Sequence, residues 1–114
     1  MAHDPAPLAI EVRPSDIEGR GVFALGHIAA GALIETCPVL RVPHEQLPDL
    51  DKTVVYNYYF AWGDDGGIAF GFGSMYNHSL EPNARYEKIM DRDELQVIAL
   101  RDIGRDEEIT LNYG

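Results

Sequence analysis

Three short runs in this chain hold side chains that could do chemistry. The first is Gly19-Arg20-Gly21. The second is Ser74-Met75-Tyr76-Asn77-His78-Ser79-Leu80-Glu81-Pro82-Asn83. The third is Glu107-Glu108-Ile109-Thr110-Leu111-Asn112-Tyr113-Gly114. Continued to Ala24, the first reads G-x-G-x-x-A and imitates a dinucleotide fingerprint, which needs a buried strand before it and a helix after it. Pro14, Asp16 and Glu18 precede it instead, and Gly26 and Gly31 follow. Each of those glycines would cost about 1 kcal/mol inside a helix. Two readings of the pair stay open, a plain turn or a backbone bare enough to lie against a ligand.

In the second run, Asn77, His78 and Ser79 form a polar knot. A metal site needs further His, Cys or acidic ligands at suitable spacing, and none stands there. Ser79 beside His78 is not a nucleophilic triad, whose members converge in space beside an oxyanion hole. The run also fits a capped turn, with Asn and Ser bonding the local backbone. Alone, the third run reads as an ordinary edge strand ending on an aromatic.

Taken in order, G-x-G, N-H-S-x-x-P-N and E-E-I-T-L-N-Y-G resemble the SET-domain protein lysine methyltransferases, from about Leu8 to the last residue. Gly21 to Ala24 and Ile28 to Glu35 fit the family's hydrophobic frame. The resemblance implies S-adenosylmethionine as cofactor, a lysine amine as acceptor, and a β-clip fold. That fold has several small curved sheets, short helical turns and a C-terminal pseudoknot that brings Asn77 and His78 beside Tyr113. By the same resemblance, Gly19, Arg20, Gly21, Asn77, His78 and Tyr113 hold the cofactor, and Tyr113 is the catalytic tyrosine. Methyl transfer is an in-line displacement, so it needs positioning more than a protein nucleophile. An aromatic channel tolerates a cationic amine, and desolvation lowers its pKa before attack. Tyr86 falls near the family position that governs how many methyls are added; it equally fits a cross-strand packing aromatic.

The chain departs from the family in two places. Glu35-Thr36-Cys37-Pro38 stands where members carry Glu-Tyr-x-Gly, so a channel tyrosine and a glycine are missing. Tyr56, Tyr58 or Tyr59 could line the channel instead, or serve sheet packing. Leu111 replaces a frequent tyrosine, as it does in some members. The sequence given stops directly after the third motif, where many members continue into a segment that closes the lysine channel. Three arrangements follow: an open channel, the Val54 to Trp62 segment folded over it, or a wall from a second copy. A homodimer is the expectation. The competing readings are a SET-fold scaffold that has lost turnover and an unrelated small β protein. The joint presence of Asn77, His78 and Tyr113 favours the enzyme.

The elements that must position these motifs are short. The 11 glycines and 7 prolines are scattered and suit strands joined by turns. Strands are expected over Leu8 to Arg13, Gly21 to Leu25, Ala32 to Glu35 and Cys37 to Val42. His44 to Lys52 is a loop or helical turn. Val54 to Phe60 is β-branched and aromatic and favours strand. Gly63 to Gly67 is a turn cluster. Asn83 to Met90 and Glu94 to Leu100 form a hairpin around Asp91-Arg92-Asp93. Glu108 to Leu111 is the last strand. The fold class is mostly β, one domain over residues 1–114 with residues 1–7 as a tail.

Composition sets the outer bounds. With 114 residues there is room for one core. The net charge of -10 opposes binding to a phosphate backbone, which needs clustered Lys and Arg. It suits encounter with a basic protein substrate, such as the tail of a DNA-packaging protein, or it serves solubility alone. Cys37 is the single cysteine, so no internal disulfide forms and a reducing compartment fits. No signal peptide or membrane span is visible, and a cytoplasmic or chromatin-associated setting is expected.

Overall fold

The computed structural model describes residues 9–113; the tail and Leu8 at one end and Gly114 at the other lie outside the described residues. Two sheets carry the site. In the first, β1 (Ile10–Pro14) pairs antiparallel with β2 (Arg20–Ala24), which pairs with β9 (Glu108–Leu111). β9 then runs parallel to β6 (Asn77–His78), giving the order β1-β2-β9-β6. The final strand therefore lies between two segments far from it and from each other in sequence.

The second sheet has the order β4-β5-β3-β8-β7. Its members are β3 (Leu33–Val42), β4 (Phe60–Trp62), β5 (Asp65–Ala69), β7 (Ala84–Ile89) and β8 (Glu94–Ala99). The expected hairpin is present, with β7 and β8 in register from Ala84↔Ala99 to Ile89↔Glu94. Its turn closes on Asp93 at φ 48, a left-handed conformation that Asp tolerates better than most residues. Residues 44–52 hold the expected helical turns, His44–Gln46 and Leu47–Leu50. Among the described residues no helix is long and apolar enough to cross a membrane.

Three local expectations are corrected. The two strands expected at Ala32 to Glu35 and Cys37 to Val42 are one strand, β3. Pro38 sits where β3 changes partners: it pairs with β8 through Pro38 and with β5 from Val39 onward. A proline lacks an N–H, and at this switch the lost donor breaks neither ladder. Val54 to Phe60 is not a strand. Val54–Asn57 forms a 3-10 turn, and only Phe60 joins β4. The Thr53 side chain caps the turn by accepting from Val55 N at 3.2 Å, and its hydroxyl donates to the Leu50 carbonyl at 2.6 Å. Local capping thus overrides β-propensity. Finally, only Gly63 and Asp64 of the glycine cluster turn the chain. Gly66 and Gly67 lie within β5, and a Cβ on Gly67 would come within 2.9 Å of Val39 and 3.0 Å of Trp62.

Two apolar clusters form the core. Ile10, Val22, Val97, Ile103, Ile109 and Leu111 belong to the larger. Cys37, Phe60, Trp62 and Leu95 belong to the second, and Tyr86 packs against both. Burying Trp62 leaves its indole N–H to be satisfied, and it donates to Asp93 Oδ1 at 2.8 Å.

Candidate active site

β6 is two residues long, so its position depends on β9. Asn77 pairs with Thr110 and His78 with Leu111, and Ser79 N donates to the Leu111 carbonyl at 2.9 Å. This register delivers Tyr113 to His78. Tyr113 N donates to His78 Nδ1 at 3.1 Å, and the two rings stack with centroids 6.1 Å apart. Because Nδ1 accepts, the proton of a neutral His78 ring resides on Nε2.

The Tyr113 hydroxyl donates to the Tyr76 carbonyl at 2.7 Å. Its ring lies 5.6 Å from Phe60 and 5.9 Å from Tyr86. Tyr76 is held in turn from the core: its buried hydroxyl donates to Glu35 Oε1 at 2.7 Å, while Phe72 N donates to Glu35 Oε2 at 3.2 Å. Glu35 turns inward beside Ile34 because the β3–β8 register slips between Leu33 and Glu35. A slip of one residue reverses which face a side chain takes.

Burial pushes the Tyr113 hydroxyl above its ordinary pKa, with Tyr86 and Cys37 adding to the effect. Burial and then Glu35 do the same for Tyr76 and for the Cys37 thiol. All three hold their protons more tightly folded than unfolded, so the unfolded chain binds fewer protons once pH passes their ordinary values. Their contribution to stability is complete below about pH 8.5 and is lost as pH rises beyond it. A urea midpoint measured from pH 7 to 11 is expected to hold to about pH 8.5 and then decline, steepening above about pH 10 where unfolded tyrosines ionise.

The glycine pair meets Asn77 from the other side. Asn77 Nδ2 lies 2.8 Å from Glu108 Oε2, and 3.1 Å from each of Ser15 Oγ and the carbonyls of Glu18 and Arg20. The two glycines have different reasons. Gly19 adopts φ 48 with open space where a Cβ would be. A Cβ on Gly21 would collide with the Glu108 carboxylate and approach Asn77 Nδ2 to 2.9 Å. Gly21 thus permits the contact between Asn77 and Glu108, which also accepts from Ser15 Oγ at 2.6 Å.

One cavity of about 1070 Å³ joins these groups. Gly19, Arg20, Asn77 and His78 line one part of it, and Tyr113, Tyr86, Tyr58 and Tyr59 line another. Gly21 lies behind the lining rather than in it. Tyr56 does not line it either; this residue points outward from the 3-10 turn and is largely exposed, because that segment is not the expected strand. Val54, Val55, Tyr58, Phe60 and Ala61 do line the cavity, so the Val54 to Trp62 segment forms one of its walls. Cys37 and Pro38 stay in β3 and take no part in the lining. Tyr76, Phe60, Met75 and Lys88 also line the cavity, and sequence reasoning did not single them out as site residues. The alternation of β7, which sets Lys88 on the face of Tyr86, was the available signal. Among the described residues, no group of three or more His, Cys, Asp or Glu could hold a metal ion.

A last strand set between β2 and β6 thus brings the glycine turn, the Asn77 amide, His78 and Tyr113 to one site. The SET domain family profile matches residues 19–114, and the chain belongs to that family. It is 36% identical over 107 residues to a histone-lysine N-methyltransferase of Schizosaccharomyces pombe specific for H3 lysine 37, covering 92% of this chain and 73% of that protein. A crystal structure of a Plasmodium falciparum protein assigned as a histone methyltransferase matches with a TM-score of 0.81 and 31% identity, covering 95% of each chain.

Proposed function

We propose that this enzyme, a protein-lysine N-methyltransferase, takes its methyl group from S-adenosylmethionine and places it on a lysine of a basic, histone-like protein. One observation carries the reading: a single cavity joins Gly19, Arg20, Asn77 and His78 to Tyr113 and Tyr86. The residues present fit the donor. Gly19 offers backbone against open space, Arg20 offers a cation for a carboxylate, and the His78 ring has Nε2 free to donate. When bound, S-adenosylmethionine supplies a methyl on a positively charged sulfur. Gly19, Arg20, Asn77 and His78 would hold the donor, and Tyr113, Tyr86 and Phe60 would orient a lysine amine toward that methyl within the same cavity.

Tyr113 acts by position. Its proton is committed to the Tyr76 carbonyl, so its oxygen keeps lone pairs for the electron-poor methyl. Like an ordinary tyrosine it is neutral at assay pH, and burial only tightens its hold on the proton, so it is a poor base for the lysine proton. Phe60, Tyr86 and Tyr113 cluster with ring centroids 5.2–5.9 Å apart and all line the cavity, an aromatic surrounding that suits an alkylammonium. The surface charge of -10 favours encounter with basic tails. A homodimer in the cytoplasm or beside chromatin completes the proposal.

The test is incubation with methyl-labelled S-adenosylmethionine and core histones, alongside calorimetric titration of the cofactor. Binding with label on lysine is expected. Binding without label on any basic protein would favour a scaffold and overturn the reading.

A further inference from the structure

In this acidic chain most cations are matched. Arg13 pairs with Glu11 and with Asp106, Arg41 with Asp93 at 2.8 Å, Arg92 with Glu94 at 3.0 Å and Arg101 with Glu107 at 2.5 Å. Among the described residues, only Arg20, Lys88 and Arg105 of the lysines and arginines have no carboxylate within ion-pair distance. Two of these three, Arg20 and Lys88, line the cavity.

Lys88 is the less expected. It is half-buried on β7, two residues beyond Tyr86 and on the same face, roughly 7 Å along the strand. The carboxylates beside it are taken: Glu87 by Arg85 at 3.4 Å and Glu94 by Arg92. Among the described residues, the one carboxylate in the cavity lining is Glu18, which adjoins Gly19 in sequence. A half-buried ammonium with no counter-charge among the described residues, opening into a cavity, is complemented by whatever occupies that cavity.

Two occupants bring carboxylates, the donor and the acceptor. Arg20 stands with Gly19 and Asn77. Lys88 stands with Tyr86, whose ring packs on Tyr113. We propose that Lys88 forms a subsite for a carboxylate of the acceptor protein, an Asp or Glu side chain next to the target lysine. This rests on the methyltransferase reading above. The acidic surface gathers basic tails at long range, and Lys88 then filters them at short range by repelling a second cation beside the target.

The test uses an oriented peptide library with one fixed central lysine and every residue at the flanking positions, methylated by the parent, Lys88→Met, Lys88→Arg and Lys88→Glu. The parent and Lys88→Arg are expected to enrich Asp and Glu at one flanking position by roughly fivefold. Lys88→Met should lose that preference, and Lys88→Glu should turn it toward Arg and Lys. Identical flanks for all four enzymes would overturn the proposal. So would a tenfold weaker cofactor titration for Lys88→Met with unchanged flanks, which would assign the cation to the donor. A parent that binds cofactor but methylates no peptide fails the methyltransferase reading itself, and this one with it. Should Lys88→Met not fold, Lys88→Gln provides the neutral arm.

Discussion

Replacing Tyr113 by phenylalanine is expected to lower kcat by about two orders of magnitude while leaving cofactor affinity within about threefold of the parent. The substitution removes one atom. The phenyl ring that remains would still pack against Phe60 and Tyr86, and the backbone N–H at this position would still reach His78 Nδ1. What disappears is an oxygen fixed by its bond to the Tyr76 carbonyl. A fixed dipole aimed at developing charge acts without reorganisation, and removing one such group elsewhere costs a hundredfold or more. The carbonyl left behind borders the cavity, where water can replace the lost donor, so the thermal midpoint should barely move. Single-turnover methylation of a histone substrate checks the rate and calorimetry checks the binding. An unchanged rate would remove Tyr113 from the chemistry.

The largest loss of stability is expected at Asn83, which makes no contact with the cavity. Asn83→Ala should lower the unfolding free energy by about 3 kcal/mol in a urea titration. Asn83 is almost fully buried and ties the start of β7 to β9. Its Oδ1 accepts from Thr110 N at 2.8 Å, and its Nδ2 donates to the Glu108 carbonyl at 2.8 Å and to Glu107 Oε2 at 3.1 Å. Alanine leaves the buried Thr110 N–H without a partner, at about 1–3 kcal/mol, and the part-buried Glu108 carbonyl with one fewer, at less than that. The same strand leads to Tyr113, so activity should fall with stability. Asn83→Asp separates the two bonds. It keeps the acceptor for Thr110 but sets a carboxylate beside Glu107, whose own pKa is drawn down to about 2, chiefly by Arg101. Repulsion and burial raise the folded pKa of the new carboxyl, so its proton is favoured by folding. Relative to the parent, Asn83→Asp should regain stability as pH falls below about 5, whereas Asn83→Ala should not.

Much of this was legible locally. The β7–β8 hairpin announced itself by two alternating runs around a polar turn, and β9 by its β-branched centre. The motif order pointed to the family without any geometry. Two of the misreadings turned on contacts distant in sequence, and the third on a local cap, Thr53, that outweighed the β-propensity of the run after it. Ala32 to Glu35 and Cys37 to Val42 looked like two strands because the switch of partners from β8 to β5 is invisible in β3 itself. Gly66 and Gly67 looked like turn residues, although close packing against Leu47, Val39 and Trp62 selects them. Tyr56 and Tyr58 were indistinguishable as neighbours in an aromatic run, and only the 3-10 turn sends one outward and the other to the cavity wall.

The sequence by itself determined which chemical groups the protein owns, the short strands that carry them and the family that arranges them in this order. The tertiary structure alone decided which of those groups meet. Tyr113 reaches His78 because β9 runs parallel to β6, and Asn77 reaches the glycine pair because β9 also lies against β2. Hydrophobic periodicity specifies a strand and its buried face, but not the partner some 30 residues away. That choice is made by the closing of the core around Ile109 and Leu111, where every backbone donor of a buried strand must find an acceptor.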